Sequence, residues 1–187
     1  MLDQLLSLDR SLFLGVNNGL SNPFLNSLCL ILRNQATWYP MYAIFIYFLI
    51  KQYKVESWKI LLAAGLMVLL SDQFSANLVK NTFMRLRPCA EPLLAGKVLH
   101  LTGSCNGYSF ISAHATNHFA VAIFLAYCFR TLKWLLPVLL FWAFSIAFSQ
   151  VYVGVHYPLD VTIGAACGIL FGVAFSRYVF KFVKIIE

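Results

Sequence analysis

Residues 149–160 read SQVYVGVHYPLD and separate two apolar runs of the chain. His156 precedes Asp160 by four residues, about one helical turn, a spacing at which a carboxylate can orient an imidazole. Pro158 lies between them and predicts that a helix begins there, with Asp160 in its first turn. The pair is a candidate functional site, although a polar helix start has the same pattern.

The composition is that of a membrane protein. Of the 187 residues, 60% are hydrophobic and 11% are charged, and the mean hydropathy is +0.75, whereas soluble domains contain about 25% charged residues. The apolar runs that predict membrane spans occupy residues 36–50, 57–79, 113–129, 134–153 and 159–180. We therefore predict an all-α fold, a single-domain polytopic membrane helical bundle over residues 1–187 with about six transmembrane helices.

The N-terminal segment has a different pattern. It carries Asp3 and no basic region before its apolar residues, so we do not expect a cleaved signal peptide. Charged residues such as Asp9 alternate with leucines as in an interfacial amphipathic helix, and Pro23 helps to break that helix. We predict a broken first span over residues 5–32, which either crosses the membrane or lies in its interface.

The formal net charge of +7 comes from 14 basic and 7 acidic residues. Most of the basic residues flank the ends of predicted spans, namely Lys51, Lys54, Lys59, Arg130, Lys133, Arg177, Lys181 and Lys184. This placement follows the positive-inside rule and marks these ends as cytoplasmic. Because no long basic surface remains, nucleic acid is not an expected partner.

Polar residues crowd the second half of the 57–79 run and the segment after it. We interpret Asp72 as a buried acid bonded to neighbouring helices rather than as a catalytic group. Lys80 and Arg87 are seven residues apart and share a face if the helix continues, where two cations suit a bound anion. Arg85 points about 140° from Lys80 on such a helix. The alternative is that these cations only extend to the membrane surface.

The longest polar loop, residues 89–108, contains Cys89 and Cys105. In an oxidising compartment these two cysteines are expected to form a disulfide, and the alternative is a pair of reduced thiols. The remaining cysteines lie in apolar runs and are interpreted as small core residues, namely Cys29, Cys128 and Cys167.

Ser112 is a suitable N-cap for the helix that follows this loop, and His114 lies two residues into that helix. The free N–H groups of a helix start favour an anion. His118 lies one turn further on the same face, but the HATNH sequence lacks the acid of the HExxH zinc motif. Later in the chain Gly164, Gly168 and Gly172 form a ridge of small residues, which predicts close helix packing.

Alternation of the spans brings these clusters together. If the basic loop 51–59 is cytoplasmic, the helix over 57–79 ends outside and delivers Lys80 and Arg87 there. The helix that begins at Ser112 starts outside, and the chain returns outside before His156. The polar clusters are therefore expected to form one site on the extracytoplasmic face, with the 89–108 loop beside it.

Three clusters occur in the order Lys80-x6-Arg87-Pro88, Ser112-Ala113-His114 and Ser149-x6-His156-x3-Asp160. They resemble the Lys-x6-Arg-Pro, Pro-Ser-Gly-His and Ser-Arg-x5-His-x3-Asp motifs of the type 2 phosphatidic acid phosphatase superfamily. These proteins are membrane lipid phosphatases related to the vanadium haloperoxidases. The resemblance covers about 80 residues, and the apolar pattern of the rest is similar to the family's six spans.

The resemblance implies a role for each site residue. His156 is the expected nucleophile, Asp160 orients it, and His114 is the general acid and base. The phosphoryl oxygens are expected to contact Lys80, Arg87, Ser112 and Ala113. Gln150 stands where the family has a phosphate-binding arginine, and loss of a charge-assisted contact costs about 1.5–3 kcal/mol. Arg85 or Lys97 is a possible substitute.

The expected activity is metal-independent hydrolysis of a membrane lipid phosphate, with no cofactor, since no acidic cluster suits a divalent cation. Undecaprenyl diphosphate, phosphatidylglycerol phosphate, phosphatidate and lipid A phosphates all fit. The expected location is a plasma or bacterial inner membrane, with the site facing the periplasm or exterior. One alternative is an impaired family member that acts as a lipid-binding or scaffold protein, for which Gln150 is the support. A transporter is less consistent with the sequence, because it lacks paired broken helices.

Overall fold

The computed structural model describes residues 1–183, and within them the chain is helical and contains no strand. The helices are α1 (Leu2–Asn17), α2 (Pro23–Arg33), α3 (Tyr39–Tyr53), α4 (Ser57–Gln73), α5 (Lys80–Phe83), α6 (Ala113–Cys128), α7 (Leu135–Tyr152) and α8 (Pro158–Val179). A π-helical turn, Phe74–Val79, joins α4 to α5. The all-α prediction is confirmed, and the predicted spans from residue 57 onward begin within two residues of a helix.

Apolar side chains fill the inside of the bundle and also cover its outside. α3, α4, α6, α7 and α8 enclose a core whose fully buried members include Ile60, Met67 and Ile146. Large apolar residues also face outward, and Phe141 is 72% exposed and Leu170 is 68% exposed. A helical bundle that is apolar on both sides is suited to lipid rather than water, so the fold is that of a membrane helical bundle.

The glycine ridge of α8 packs directly on α6. A Cβ atom on Gly164 would lie 2.8 Å from the Ser112 carbonyl oxygen, and one on Gly172 would lie 2.8 Å from the Ala120 carbonyl oxygen. No side chain fits at this separation, so the small residues allow the two backbones to approach closely. This close packing, predicted from the Gly-xxx-Gly spacing, places the start of α8 beside the start of α6.

The two ends of the bundle differ in chemistry. At one end the Tyr53 hydroxyl donates to the Cys128 carbonyl oxygen at 2.5 Å, and Arg130 lies 5.7 Å from the Phe180 ring. The 51–59 loop, the α6–α7 turn and the C-terminus of α8 therefore lie together at this end, called here the basic end. The other end, called here the polar end, contains residues 80–112 and 150–160.

The N-terminal segment is broken, as predicted, at residues 18–22 between α1 and α2. α1 lies against the polar end, because Asn17 Nδ2 donates to the carbonyl oxygens of Leu99 and Tyr152 at 2.8 and 2.7 Å. α2 begins near Tyr152, and the turn Gln35–Trp38 follows it. The Trp38 ring packs against the Trp142 ring of α7, with the ring centroids 5.6 Å apart. α2 and α3 thus follow one path from the polar end towards the basic end.

The number of membrane-crossing helices is not confirmed as six. Three helical segments of the described chain are long and apolar enough to cross a bilayer, namely Gln35–Leu94, Leu135–Tyr152 and Pro158–Val179. The first contains both α3 and α4 with the helical turns that follow them. α6, with 16 residues, lies below the length of roughly 20 that a full span needs.

Candidate active site

A cavity of about 940 Å³ lies at the polar end and extends between α3, α4 and α6. Residues from all three sequence motifs line it, including Lys80, Arg87, His114, Gln150 and His156. These residues come from separate parts of the chain, and the bundle brings them to one concave surface. The convergence predicted from the alternation of spans is therefore present in the structure.

His156 and Asp160 lie at the turn from α7 into α8. Pro158 is the first residue of α8, as the sequence predicted, and His156 Nδ1 lies 3.5 Å from Asp160 Oδ2. The same Oδ2 atom accepts a 2.9 Å hydrogen bond from the Tyr157 backbone N–H. At 3.5 Å the imidazole and the carboxylate are within ion-pair range, although this distance is longer than a normal hydrogen bond.

His156 is almost completely buried, with 3% of its surface exposed. This burial lowers the pKa of His156 below its ordinary value, and the Asp160 carboxylate acts in the opposite direction. The imidazole is therefore held neutral near pH 7. A neutral imidazole has the free lone pair that a nucleophile requires.

Arg85 holds the far side of the Asp160 carboxylate. Its guanidinium donates to Asp160 Oδ1 at 2.7 Å and to Asp9 Oδ2 at 2.6 Å, and it lies 3.9 Å from the Tyr157 ring centroid. The other Asp9 oxygen accepts from the Leu159 backbone N–H at 2.8 Å. Arg85 does not line the cavity, so the structure does not support it as a phosphate-binding substitute for an arginine at position 150.

Lys80 and Arg87 both line the cavity, but they do not share a helical face. The helix does not continue to Arg87, the condition for a shared face, because α5 ends at Phe83 and Met84 adopts a left-handed conformation with φ 46° and ψ 33°. Arg87 itself is extended, with φ −72° and ψ 153°. The chain therefore turns after α5, and this turn rather than the seven-residue spacing brings the two cations to one cavity.

Ser112 is the N-cap of α6, as predicted, and its Oγ accepts from the Ala115 N–H at 3.4 Å. Its own N–H donates to the Asp160 carbonyl oxygen at 3.1 Å, which ties α6 to α8. Ala113 and His114 line the cavity, whereas Ser112 does not. The structure therefore does not place Ser112 where it could contact phosphate, and the backbone at the helix start that faces the cavity is that of Ala113 and His114.

His118 lies one turn below His114, and the two rings stack with centroids 6.1 Å apart. The predicted shared face is therefore present. His118 Nδ1 lies 2.7 Å from the His114 carbonyl oxygen and its ring packs edge-on against Trp142. The hydrogen-bond partner of the His118 ring is thus a backbone carbonyl group, which indicates a structural role for His118 in the cavity wall.

The 89–108 loop covers the mouth of the cavity. A disulfide joins Cys89 and Cys105, the pair expected from the sequence, and residues 102–104 and 106 line the cavity. Lys97 is exposed and does not line it. Within residues 1–183 the one cluster with metal-ligand geometry is Cys89, His100 and Cys105, and the disulfide engages two of its three members.

Below the polar groups the cavity becomes apolar. This apolar arm is lined by residues of α3, α4 and α6, namely Phe45, Leu49, Leu61, Gly65, Val68, Val121 and Leu125. Asp72 lies on the cavity wall, and its Oδ1 accepts from Asn117 Nδ2 of α6 at 2.9 Å. The predicted bond from Asp72 to a neighbouring helix is therefore confirmed, but Asp72 is half-buried at the cavity rather than buried. A polar pocket continuous with an apolar arm suits an amphipathic ligand.

Two residues of this centre were not predicted from the sequence. Asp9 bridges Arg85 and the start of α8, and Arg33 lines the cavity from the last turn of α2. Both lie in the N-terminal segment, far from the three motifs. The one signal for Asp9 was its position in an otherwise apolar segment, and the sequence contained no signal that placed Arg33 near the site.

A family model described as the PAP2 superfamily matches residues 58–184. The chain belongs to the PAP2 superfamily. The resemblance noted from the three motifs is therefore confirmed. The chain is a phosphatase, because two curated phosphatases are 33% identical to it over more than nine-tenths of its length.

Individual PAP2 proteins show how far this similarity extends. A lipid A 4'-phosphatase of Bacteroides thetaiotaomicron is 33% identical over 189 residues, which cover 98% of this chain and 80% of that protein. The crystal structure of Aquifex aeolicus LpxE has a TM-score of 0.67 at 26% identity and covers 91% of this chain and 96% of that one.

The fold is also that of a solved transmembrane member of the family. The crystal structure of a transmembrane PAP2 type phosphatidylglycerolphosphate phosphatase from Bacillus subtilis matches with a TM-score of 0.71 at 22% identity. The match covers 98% of this chain and 90% of that one. This PAP2 protein therefore shares the helical fold of that structure.

Proposed function

We propose that this PAP2 protein hydrolyses the phosphomonoester of a membrane lipid at the extracytoplasmic face, through a phosphohistidine intermediate. The observation that carries the proposal is the cavity itself. It combines three histidines and three cations in its lining with an apolar arm that suits a hydrocarbon chain. A soluble phosphate ester would not need that arm.

In the first step His156 Nε2 attacks the phosphorus atom while the bond from phosphorus to the lipid oxygen breaks. Asp160 stabilises the imidazolium that forms on His156, and His114 donates a proton to the departing oxygen. The products of this step are a lipid alcohol and a phosphohistidine. His114, which lines the cavity beside His156, is then the base.

In the second step His114 accepts a proton from water, and the water oxygen attacks the phosphorus atom. The bond from His156 nitrogen to phosphorus breaks, inorganic phosphate leaves, and both histidines return to their starting forms. Lys80 and Arg87, with the N–H groups at the start of α6, neutralise the charge that builds on the phosphoryl oxygens.

The donor set supports chemistry without a divalent cation. Among residues 1–183, Asp72 is the one carboxylate that lines the cavity, and Asn117 already bonds one of its oxygens. Divalent cations such as Mg²⁺ and Ca²⁺ favour several oxygen ligands. The three cations that line the cavity, Arg33, Lys80 and Arg87, instead suit direct electrostatic stabilisation by the protein.

Among the candidate lipids we favour a lipid A-type glycolipid phosphate over undecaprenyl diphosphate, phosphatidylglycerol phosphate and phosphatidate. The full-length relative from Bacteroides thetaiotaomicron is a lipid A 4'-phosphatase. The orientation rests on charge, since the basic end carries Lys51, Lys54, Lys59, Arg130 and Lys133. The positive-inside rule places that end in the cytoplasm and the cavity at the periplasm or exterior.

The deciding experiment measures phosphate release by the purified protein from a panel of these four lipid phosphates, with and without EDTA. We expect release from a lipid A-type substrate that EDTA does not affect. His156→Ala should abolish it, while His100→Ala, a histidine outside the cavity, should not. Release that depends on an added divalent ion would contradict the metal-free mechanism.

The same assay tests the scaffold alternative that Gln150 suggests. Equal phosphate release by the wild-type protein and His156→Ala would overturn the proposed activity. With 32P-labelled substrate, a rapid denaturing quench in alkali during the first turnover should trap acid-labile label on the wild-type protein and none on His156→Ala. Wild-type protein that turns over without any trapped label would contradict the phosphohistidine.

A further inference from the structure

Gln150 leaves one side of the phosphate site without a fixed positive charge. Its side chain lines the cavity, is 1% exposed, and its Nε2 atom has no hydrogen-bond partner in the described chain. An amide can donate one hydrogen bond to a phosphoryl oxygen but supplies no net charge. Neither Arg85 nor Lys97 supplies it, since neither lines the cavity.

Arg33 lines the same cavity from a different helix. It is the last residue of α2 and reaches the surface that also contains Arg87, His114 and Gln150. Its Nε atom is buried and has no hydrogen-bond partner, and within residues 1–183 no carboxylate forms an ion pair with it. The position of Arg33 near a helix C-terminus is favourable for a cation, but it makes no side-chain hydrogen bond to the α2 carbonyl groups.

Arg87 has the same unpartnered state as Arg33. Its Nε atom is also buried without a partner, and Arg87 is absent from the ion pairs of the described chain. Two guanidinium groups that face one cavity without a paired acid repel each other, and buried donors without acceptors cost free energy. A phosphoryl group removes both penalties, because it brings negative charge and several acceptor oxygens that suit the guanidinium fork.

We propose that Arg33 is a phosphate-binding residue that contacts the substrate phosphoryl group in place of the arginine missing at position 150. The positive charge then comes from α2 rather than from α7. This inference rests on the proposed phosphatase function. Together Lys80, Arg87 and Arg33 give the cavity three cations around one phosphoryl group.

The test is a mutant cycle on the full-length protein in detergent. Arg33→Gln should lower kcat/KM for a lipid phosphate by about 10- to 100-fold, the loss of one charge-assisted contact. Gln150→Arg should raise kcat/KM by a larger factor in the Arg33→Gln background than in the wild-type protein, because the wild-type protein already has the charge of Arg33. Arg33→Gln combined with Gln150→Arg should recover at least tenfold over Arg33→Gln. Arg177→Gln, an exposed arginine at the basic end, is the matched control and should retain full activity.

The outcomes separate the two proposals. If the wild-type protein is active and Arg33→Gln equals it, the role of Arg33 is wrong and the phosphatase function stands. If the wild-type protein is inactive on every lipid phosphate, the function is wrong, and vanadate then tests Arg33 as an anion ligand. Thermal stabilisation by vanadate should be weaker in Arg33→Gln than in Arg177→Gln, and equal stabilisation would overturn the inference. Should Arg33→Gln fail to fold, Arg33→Met, a neutral side chain of similar length, provides the same comparison.

Discussion

Arg85 and Asp160 form an ion pair at 2.7 Å behind the cavity, and the other oxygen of the same carboxylate faces His156. Asp160 is fully buried and the Arg85 side chain is 17% exposed, so solvent does little to weaken the pair. The carboxylate is thus fixed on one side by a cation that never reaches the substrate. The orientation of the proposed nucleophile therefore depends on a residue outside the pocket.

Replacement of Arg85 by glutamine should lower kcat by about 10²-fold with little change in KM, because a small displacement of a catalytic group is costly while phosphate contacts remain. Steady-state kinetics with a lipid phosphate, alongside melting temperature in detergent, measure the two effects separately. Arg10→Gln, an arginine of the same N-terminal region outside the cavity, is the control. An Arg85→Gln protein with unchanged kcat would contradict the positioning role.

The pH dependence of kcat/KM should reflect the lowered pKa of His156. Its neutral form, which is the nucleophile, persists as the pH falls through the ordinary histidine value of about 6.5. Activity should therefore hold at pH 6.5 and decline at lower pH. Because Asp160 raises the pKa of His156, Asp160→Asn should shift the acid limb to still lower pH while reducing the plateau.

The substrate phosphate titrates in the same way with the wild-type protein and with Asp160→Asn. The difference between their two pH profiles therefore reports on the protein alone. An acid limb that moves to higher pH in Asp160→Asn would show that His156 does not govern it. The measurement requires the same lipid phosphate over a pH range from about 4 to 9, which spans the ordinary histidine value on both sides.

Gly168→Ala should destabilise the protein by about 1–3 kcal/mol through overpacking, since the added Cβ would overlap the Thr116 carbonyl group of α6. Gly15→Ala in α1 is the matched control, because nothing lies within 4 Å of its added Cβ. The melting temperature in detergent should be lower for Gly168→Ala than for the wild-type protein. For Gly15→Ala it should equal or exceed the wild-type value. Equal melting temperatures for the two variants would contradict the prediction, because α6 and α8 would then accommodate the added Cβ atom without loss of stability.

Removal of the disulfide should affect the cavity mouth more than the chemistry. The double change Cys89→Ser and Cys105→Ser opens a loop with a sequence separation of 16 and costs up to about 3 kcal/mol. We expect a higher KM for the lipid and a nearly unchanged kcat. Dithiothreitol should reproduce the effect in the wild-type protein and have none on the double variant. A fall in kcat alone would contradict this account.

Gly65→Leu should obstruct the apolar arm, because Gly65 lines it and the space beside its added Cβ is open. KM for a long-chain lipid phosphate should rise, whereas hydrolysis of a water-soluble aryl phosphate should remain the same. Leu62→Phe, at a side chain of α4 that is 55% exposed and outside the cavity, is the control. Equal loss on both substrates would indicate general damage rather than a blocked lipid site.

Local signals in the sequence were sufficient for most of the fold. The helix at Pro158 and the cap at Ser112 follow from residues that interact within one turn, and apolar runs define helices because lipid demands them. The convergence of Lys80, His114 and His156 followed from counting membrane crossings, which needs no detail of packing.

The sequence was not sufficient where tertiary structure decides. Nothing in Met84 marks it as left-handed, since such a conformation is common for glycine and rare for methionine, so whether the helix continued to Arg87 stayed open. Arg33 and Asp9 reach the site only because α1 and α2 fold back onto the polar end. Contacts between residues so far apart in sequence leave no periodic signal.

The ion pair between Asp9 and Arg85 also bears on how far the N-terminus can be truncated. The family match begins at residue 58 and excludes both Asp9 and Arg33. A truncated protein that keeps only the matched region would retain every motif residue, yet Asp160 would lose part of its support and the cavity would lose a cation. On the proposed mechanism we therefore expect the first 57 residues to be part of the catalytic unit, and the smallest active fragment to begin before the family boundary.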